Sequence, residues 1–180
     1  MTVSVIIPLS IEDDYNRKIP GAGEVLKITE GSIASARNLG AARSKFDELL
    51  FLDADMLLPA NLDLSTLSSF GFDIATAEYR VSEASDYLLQ SWQNFWADVG
   101  CPLAMFGGFI YVKKDVFNEI GGFRDCVGED IEFAWRAWHR GFRVEKFPFQ
   151  VLHSRPFHWK SFVGTLPALP ELWGVPLGTR

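Results

Sequence analysis

Residues 48–56 read Glu48-Leu49-Leu50-Phe51-Leu52-Asp53-Ala54-Asp55-Met56, an apolar run that stops at two carboxylates one residue apart. Four consecutive large apolar residues before an acid predict a strand buried on both faces, the pattern of a central strand in a parallel sheet. Ligands of such sheets bind beyond the carboxyl ends of the strands. Asp53 and Asp55 are therefore expected to emerge from the core where an α/β protein keeps its site. Two oxygen-rich side chains there suit a hard divalent cation, and such a cation suits a phosphate that needs neutralising. Asp-Ala-Asp equally suits the start of a turn ahead of Pro59.

The chain has 180 residues, 48% of them hydrophobic and 22% charged, a composition that predicts one globular domain with a sizeable core. A net charge of −6 argues against a nucleic-acid partner, which needs a basic face. Cys101 and Cys126 are too few for a disulfide framework and lack metal-ligand spacing, which fits a reducing, cytoplasmic setting. The opening Met1-Thr2-Val3-Ser4-Val5-Ile6-Ile7-Pro8 reads as a first strand rather than a secretory leader. No segment reaches the roughly 18 uninterrupted apolar residues of a membrane span. Residues 1–155 are expected to form the domain. Residues 156–180 form an apolar tail with Pro156, Pro167, Pro170 and Pro176, which exclude one long helix. The tail suits a wrapping segment, a lid, or a surface for a partner or for peripheral membrane contact.

Between these landmarks the pattern alternates. Glu24 to Ile28 reads as a strand and Ser32 as the cap of a helix running to Phe46, with Ile33, Ala36, Leu39, Ala42 and Phe46 as its buried stripe. The small residues Ala36, Gly40 and Ala41 would let that helix lie close to the sheet. A strand is expected at 72–79, a helix at 82–99, and a strand at 106–112 whose Gly107 and Gly108 allow a bulge or a close approach. A short helix at 114–120 stops at Gly121-Gly122. A longer one at 129–140 stops at Gly141, with Ile131, Ala134, Trp135 and Trp138 facing inward. Residues 143–149 and 150–153 supply late β structure.

Glu129 and Asp130 open the 129–140 helix, where carboxylates interact favourably with exposed amides and the helix dipole. A carboxylate fixed there, beside an acceptor hydroxyl, also suits a general base. His153 fits either a hydrogen-bonded core histidine or a third metal ligand with Asp53 and Asp55. Trp92, Trp96 and Phe109 fit packing or the lining of a sugar site.

Taken in order, Val3-Ser4-Val5-Ile6-Ile7-Pro8, Ala36-Arg37-Asn38-Leu39-Gly40, Phe51-Leu52-Asp53-Ala54-Asp55, Gly107-Gly108-Phe109, Ile120-Gly121-Gly122-Phe123 and Gly128-Glu129-Asp130-Ile131-Glu132, with Arg136 and Gly141, resemble the GT-A glycosyltransferases of the family 2 type. The likeness runs from Val3 to about His153. It implies a single-domain GT-A fold, a Rossmann-like α/β arrangement with a mixed, mostly parallel central sheet flanked by helices. It also implies a metal-dependent, inverting transfer of one sugar from a nucleotide-diphosphate sugar to a hydroxyl of a glycan, lipid or protein acceptor.

Carried onto this chain, the resemblance puts Pro8, Leu9 and Ser10 at the opening of the nucleotide site, with Arg37 and Asn38 near the nucleotide. Asp53 would contact the ribose or the metal, and Asp55 would be the principal ligand of Mn²⁺ or Mg²⁺, with His153 completing the set. Asp130 would be the catalytic base, supported by Glu129. Only a loop and one strand separate Pro8 from Ala36, where family members carry a further βα unit. A non-catalytic nucleotide-sugar or carbohydrate-binding module on the same scaffold is the alternative. A nucleotidyltransferase would want a glycine-rich phosphate loop after the first strand, and none is present.

Overall fold

A computed structural model describes residues 2–10, 15–82, 87–100 and 108–154. Glu48–Leu52 forms the central strand β3, buried at every position. Leu49 and Phe51 pack into one apolar cluster and Leu50 and Leu52 into the other. The strand is thus covered on both faces, which is why its sequence carries no polar alternation.

Around it run β1 (Val3–Pro8), β2 (Ala22–Ile28), β4 (Met56–Leu57), β5 (Ile74–Val81), β6 (Phe109–Lys113) and β7 (Val144–His153). They form one seven-stranded sheet in the order β2-β1-β3-β6-β5-β7-β4. The helices are α1 (Ile33–Arg43), α2 (Tyr87–Asp98), α3 (Lys114–Ile120) and α4 (Glu129–His139), and Leu64–Phe70 adds a 3-10 helix. Among the described residues no helix is long and apolar enough to cross a membrane.

The sheet is mixed as expected, but the expectation that it is mostly parallel is corrected. β1 pairs in parallel with β2 and β3, and β5 with β7, whereas β6 runs antiparallel to both β3 and β5, and β4 antiparallel to β7. Reversal of β6 in the middle of the sheet is compatible with its unbroken apolar sequence because burial on two faces has the same signature in either direction. The late β structure is one strand, with a register shift between Ala77 and Glu78 opposite Pro148 and Phe149. Pro148 lacks an N–H for the ladder, so it falls where the ladder is interrupted.

Two buried stripes differ from expectation. α1 buries Ala34, Ala36, Arg37, Gly40 and Ala41, while Ile33 is 55% exposed. A Cβ at Gly40 would lie 2.3 Å from Ile6 Cγ2, so small residues, not the largest apolar ones, face the sheet. Gly40→Ala is expected to destabilise by about 1–2 kcal/mol, because overpacking against a fully buried β-branched side chain outweighs the gain in helix propensity. Urea unfolding checks it. In α4 the inward residues are Ile131, Phe133, Ala134 and Ala137 with Glu132 and Arg136, and Trp138 is exposed.

Candidate functional site

β1 and β3 run in the same direction and end side by side. Beyond their carboxyl ends lies a cavity of about 410 Å³. Pro8, Leu9 and Ser10 form one wall, Gly31, Ser32, Ile33 and Ala36 a second, and Asp53, Ala54 and Asp55 a third. The second wall is the start of α1, whose first turn contains no acidic residue. No acidic side chain within that turn neutralises its amide groups and dipole, an arrangement suited to phosphate oxygens. The sequence signal for this was the absence of Asp or Glu after the Ser32 cap.

Asp53 follows β3 directly, and its backbone N–H donates to the carbonyl of Gly108 at 3.1 Å. Met56 N–H donates back to the Asp53 carbonyl at 3.1 Å, closing a tight turn that presents Asp55. A Cβ at Gly108 would meet Met56 Sδ at 2.7 Å. The close approach expected of the glycine pair is, at Gly108, made to this turn. Gly107 lies outside the described residues.

Arg37, expected near the nucleotide, does not line the cavity but lies buried behind its acids. It reaches from the sheet-facing side of α1, is 1% exposed, and donates to Asp53 Oδ1 at 2.9 Å and to Glu129 Oε1 at 2.6 Å. The two acidic groups are thereby held by one guanidinium. Burial alone would lower the guanidinium's pKa, but Asp53, Glu129 and Asp130 together raise it. Arg37 is a fixed positive charge. The Asp53 carboxyl is pushed up by burial, with Arg37 opposing the shift.

Asn38, the neighbour of Arg37, donates to the carbonyl of Phe123 at 2.8 Å and accepts its N–H at 2.9 Å. It ties α1 to the 121–128 loop. That loop is also gripped by Arg136, which donates to the carbonyls of Ile120 and Gly122 at 2.5 Å each and pairs with Glu132. Gly128, with φ +73, then turns the chain into α4. An L side chain is rarely found there, which explains a glycine immediately before the acids. Asp130 Oδ1 accepts the N–H of Ile131 at 2.8 Å. The Glu132–Arg136 clamp is a positioning device that reading the sequence for reactive groups missed, although its i,i+4 spacing was visible.

His153 ends β7 opposite Met56 of β4, and its Nε2 lies 3.4 Å from Asp55 Oδ2. Ser154 donates to the Asp55 carbonyl from both its backbone N–H, at 3.0 Å, and its hydroxyl, at 2.6 Å. Asp55 and His153 are thus brought together across 98 residues. Among the described residues no three His, Cys, Asp or Glu side chains gather into a metal-holding group. Asp53 turns one carboxylate oxygen to Arg37 instead. A carboxylate and an imidazole are nevertheless donors that suit Mn²⁺, with other positions left to ligand or water oxygens.

Phe109 is fully buried, whereas Trp92 is 48% exposed. Cys101 and the tail from Arg155 on lie outside the described residues.

A sheet of this order, with its cavity beyond β1 and β3, defines a glycosyltransferase-like α/β fold. Among the solved structures similar to it is the mannosyltransferase PcManGT from Pyrobaculum calidifontis in complex with GDP-Man and Mn²⁺, which matches with a TM-score of 0.61 over 86% of this chain at 19% identity. This chain spans 57% of that protein's length. No family model matches the sequence, and no curated protein does.

Proposed function

We propose that this chain is a metal-dependent glycosyltransferase that moves one sugar from a nucleoside-diphosphate sugar to an acceptor hydroxyl with inversion. The observation that carries the reading is the linkage through Arg37 of Asp53, on the wall of the β1–β3 cavity, to Glu129 at the start of α4. A donor-sized cavity and a candidate base are built as one unit.

In this reading the cavity formed by Pro8, Leu9, Ser10 and the start of α1 takes the nucleoside diphosphate, its phosphates facing the helix amides. Asp55 and His153 would hold a divalent ion, which would supply positive charge to offset that on the departing diphosphate. Asp130 accepts the proton of the acceptor hydroxyl as that oxygen attacks the anomeric carbon, giving a single displacement with inversion. Glu129, fixed by Arg37, orients the acceptor. Residues 1–155 are the catalytic unit and residues 156–180 an appended tail.

The direct test is thermal unfolding with nucleoside diphosphates, with and without Mn²⁺. A nucleotide at about 100 times its dissociation constant stabilises by about 2.7 kcal/mol, a shift of roughly 5–10 °C for a chain of this size. The shift is expected only with metal, and is expected to disappear in Asp55→Ala. Absence of stabilisation by any nucleotide would overturn the donor-site assignment.

A further inference from the structure

We propose, on the reading of the turn at Asp53 and Asp55 as a wall of the donor cavity, that Tyr79 is a positioning residue: its phenol holds the Gly108–Phe109 peptide, and that peptide holds the turn. Next to this turn the sheet comes apart. β6 pairs with β3 along its whole length, but with β5 only at Ile74 and Ala75, although β5 runs on to Val81. Buried backbone groups on the two parting edges need other partners. On the β5 edge α2 supplies them. Asn94 accepts the N–H of Tyr79 and donates to its carbonyl, both at 3.0 Å, and Gln90 accepts the N–H of Val81 at 2.9 Å. On the β6 edge the side chains of β5 do the same: Phe109 N–H donates to the Tyr79 hydroxyl at 2.8 Å, and the Thr76 hydroxyl donates to the Phe109 carbonyl at 3.0 Å.

The peptide that Tyr79 holds is held from its other end by the site. Its carbonyl, that of Gly108, accepts the Asp53 N–H at 3.1 Å, and the Met56 N–H closes the turn on the Asp53 carbonyl at 3.1 Å. A Cβ at Gly108 would lie 2.7 Å from Met56 Sδ, so this peptide lies directly against the turn. A peptide group is planar and stiff, so a tilt imposed on its N–H is carried to its C=O. One rigid unit therefore connects the phenol to the backbone of Asp53.

Tyr79 is built to be the fixed end. Its side chain is buried in the cluster that contains Met56, Phe109 and Val151, and its own main chain is gripped on both polar groups by Asn94. The phenol stays uncharged. Burial and then the charge of Asp53, with a smaller push from Asp130, raise its pKa far above the ordinary value, against the hydrogen bonds from Phe109 and Thr76. Both acids that act on it belong to the candidate site. A buried tyrosine that only filled space would need neither the contact to the 108–109 peptide nor this place between the two acids.

The test compares Tyr79→Phe, which keeps the ring and removes only the hydroxyl, with Ile74→Val, a loss of buried volume on the same strand that leaves the 108–109 peptide untouched. Amide hydrogen exchange is followed by NMR on the full-length chain. In Tyr79→Phe the Asp53 amide is expected to exchange about tenfold faster relative to Leu50 than in the parent, whereas in Ile74→Val the ratio is expected to stay the same. Affinity is measured for ADP, GDP, CDP and UDP, each with Mn²⁺. For a nucleotide that the parent binds, it is expected to fall about tenfold in Tyr79→Phe and by less than about twofold in Ile74→Val. An Asp53 to Leu50 ratio in Tyr79→Phe equal to that of the parent overturns the proposal, and so does a selective change at Asp53 with nucleotide affinity unaltered. A parent that binds none of the four overturns the donor-site reading instead, and the exchange ratio then decides by itself whether Tyr79 holds the turn.

Discussion

Replacing Arg37 with methionine is expected to destabilise the protein by about 3 kcal/mol, lowering the thermal midpoint by roughly 6–12 °C. Methionine fills a similar volume, so the loss is electrostatic rather than a cavity. Arg37 is 1% exposed and carries two carboxylates, Asp53 at 2.9 Å and Glu129 at 2.6 Å. Removing one partner of a buried ion pair leaves the other charge without compensation, which is worth about 3–5 kcal/mol. The lower end applies because the Asp53 side chain is 35% exposed and water screens it. Arg37→Lys is expected to recover only part of the loss, since one ammonium cannot reproduce a fork that meets two carboxylates. Differential scanning calorimetry of the three proteins checks the order. A methionine variant as stable as the parent would show that the two acids do not depend on this charge.

Asp130→Asn is expected to reduce donor turnover by about 10²- to 10⁴-fold, the range for removing a general base. Asparagine keeps the shape and the acceptor oxygen that meets the Ile131 N–H at 2.8 Å. It cannot take up a proton at neutral pH. The fold should tolerate the change, because Glu129 and Glu132 still supply negative charge to the first turn of α4. Asp130 is not part of the cavity wall, so the nucleoside-diphosphate affinity should stay within about twofold of the parent. Initial rates at saturating donor, alongside calorimetric nucleotide binding, separate the two effects. Turnover within tenfold of the parent would remove Asp130 from the base role, and a matched loss of nucleotide affinity would place it in the donor site instead.

The strands closest to the site were legible because their burial leaves a single signature. Glu48–Leu52 has no polar position to accommodate, and it is covered on both faces. The short helix at Lys114–Ile120 and the longer one at Glu129–His139 were marked by their glycine stops. The direction of β6 was not legible, since Phe109-Ile110-Tyr111-Val112 has the same apolar content read either way. Nor was β4, two residues that are a strand only because Leu152 and His153 lie beside them. The inward faces of α1 and α4 were legible only in part. Ala36, Ile131 and Ala134 are buried as expected, but Ile33 and Trp138 are exposed: in α1 close packing on the sheet selected Gly40 and Ala41, and in α4 Phe133 and Ala137 take the inward positions.

By itself the sequence determined the class of fold and the acids of the candidate site, because both are written locally: a two-sided apolar strand, an abrupt Asp-x-Asp, and acids placed at a helix start. What the tertiary structure alone decided is which of those groups act together. Arg37 meets Glu129 across 92 residues of chain, and His153 meets Asp55 only because β7 folds back beside β4. The same holds for α2, whose amphipathic sequence predicted a helix but not that its carboxamides would take the sheet edge and its aromatic stripe the outside. Local pattern fixes what a segment can bury. The partner that satisfies its polar groups, and hence the face it shows, is set by whichever distant strand edge or charge the fold brings to it.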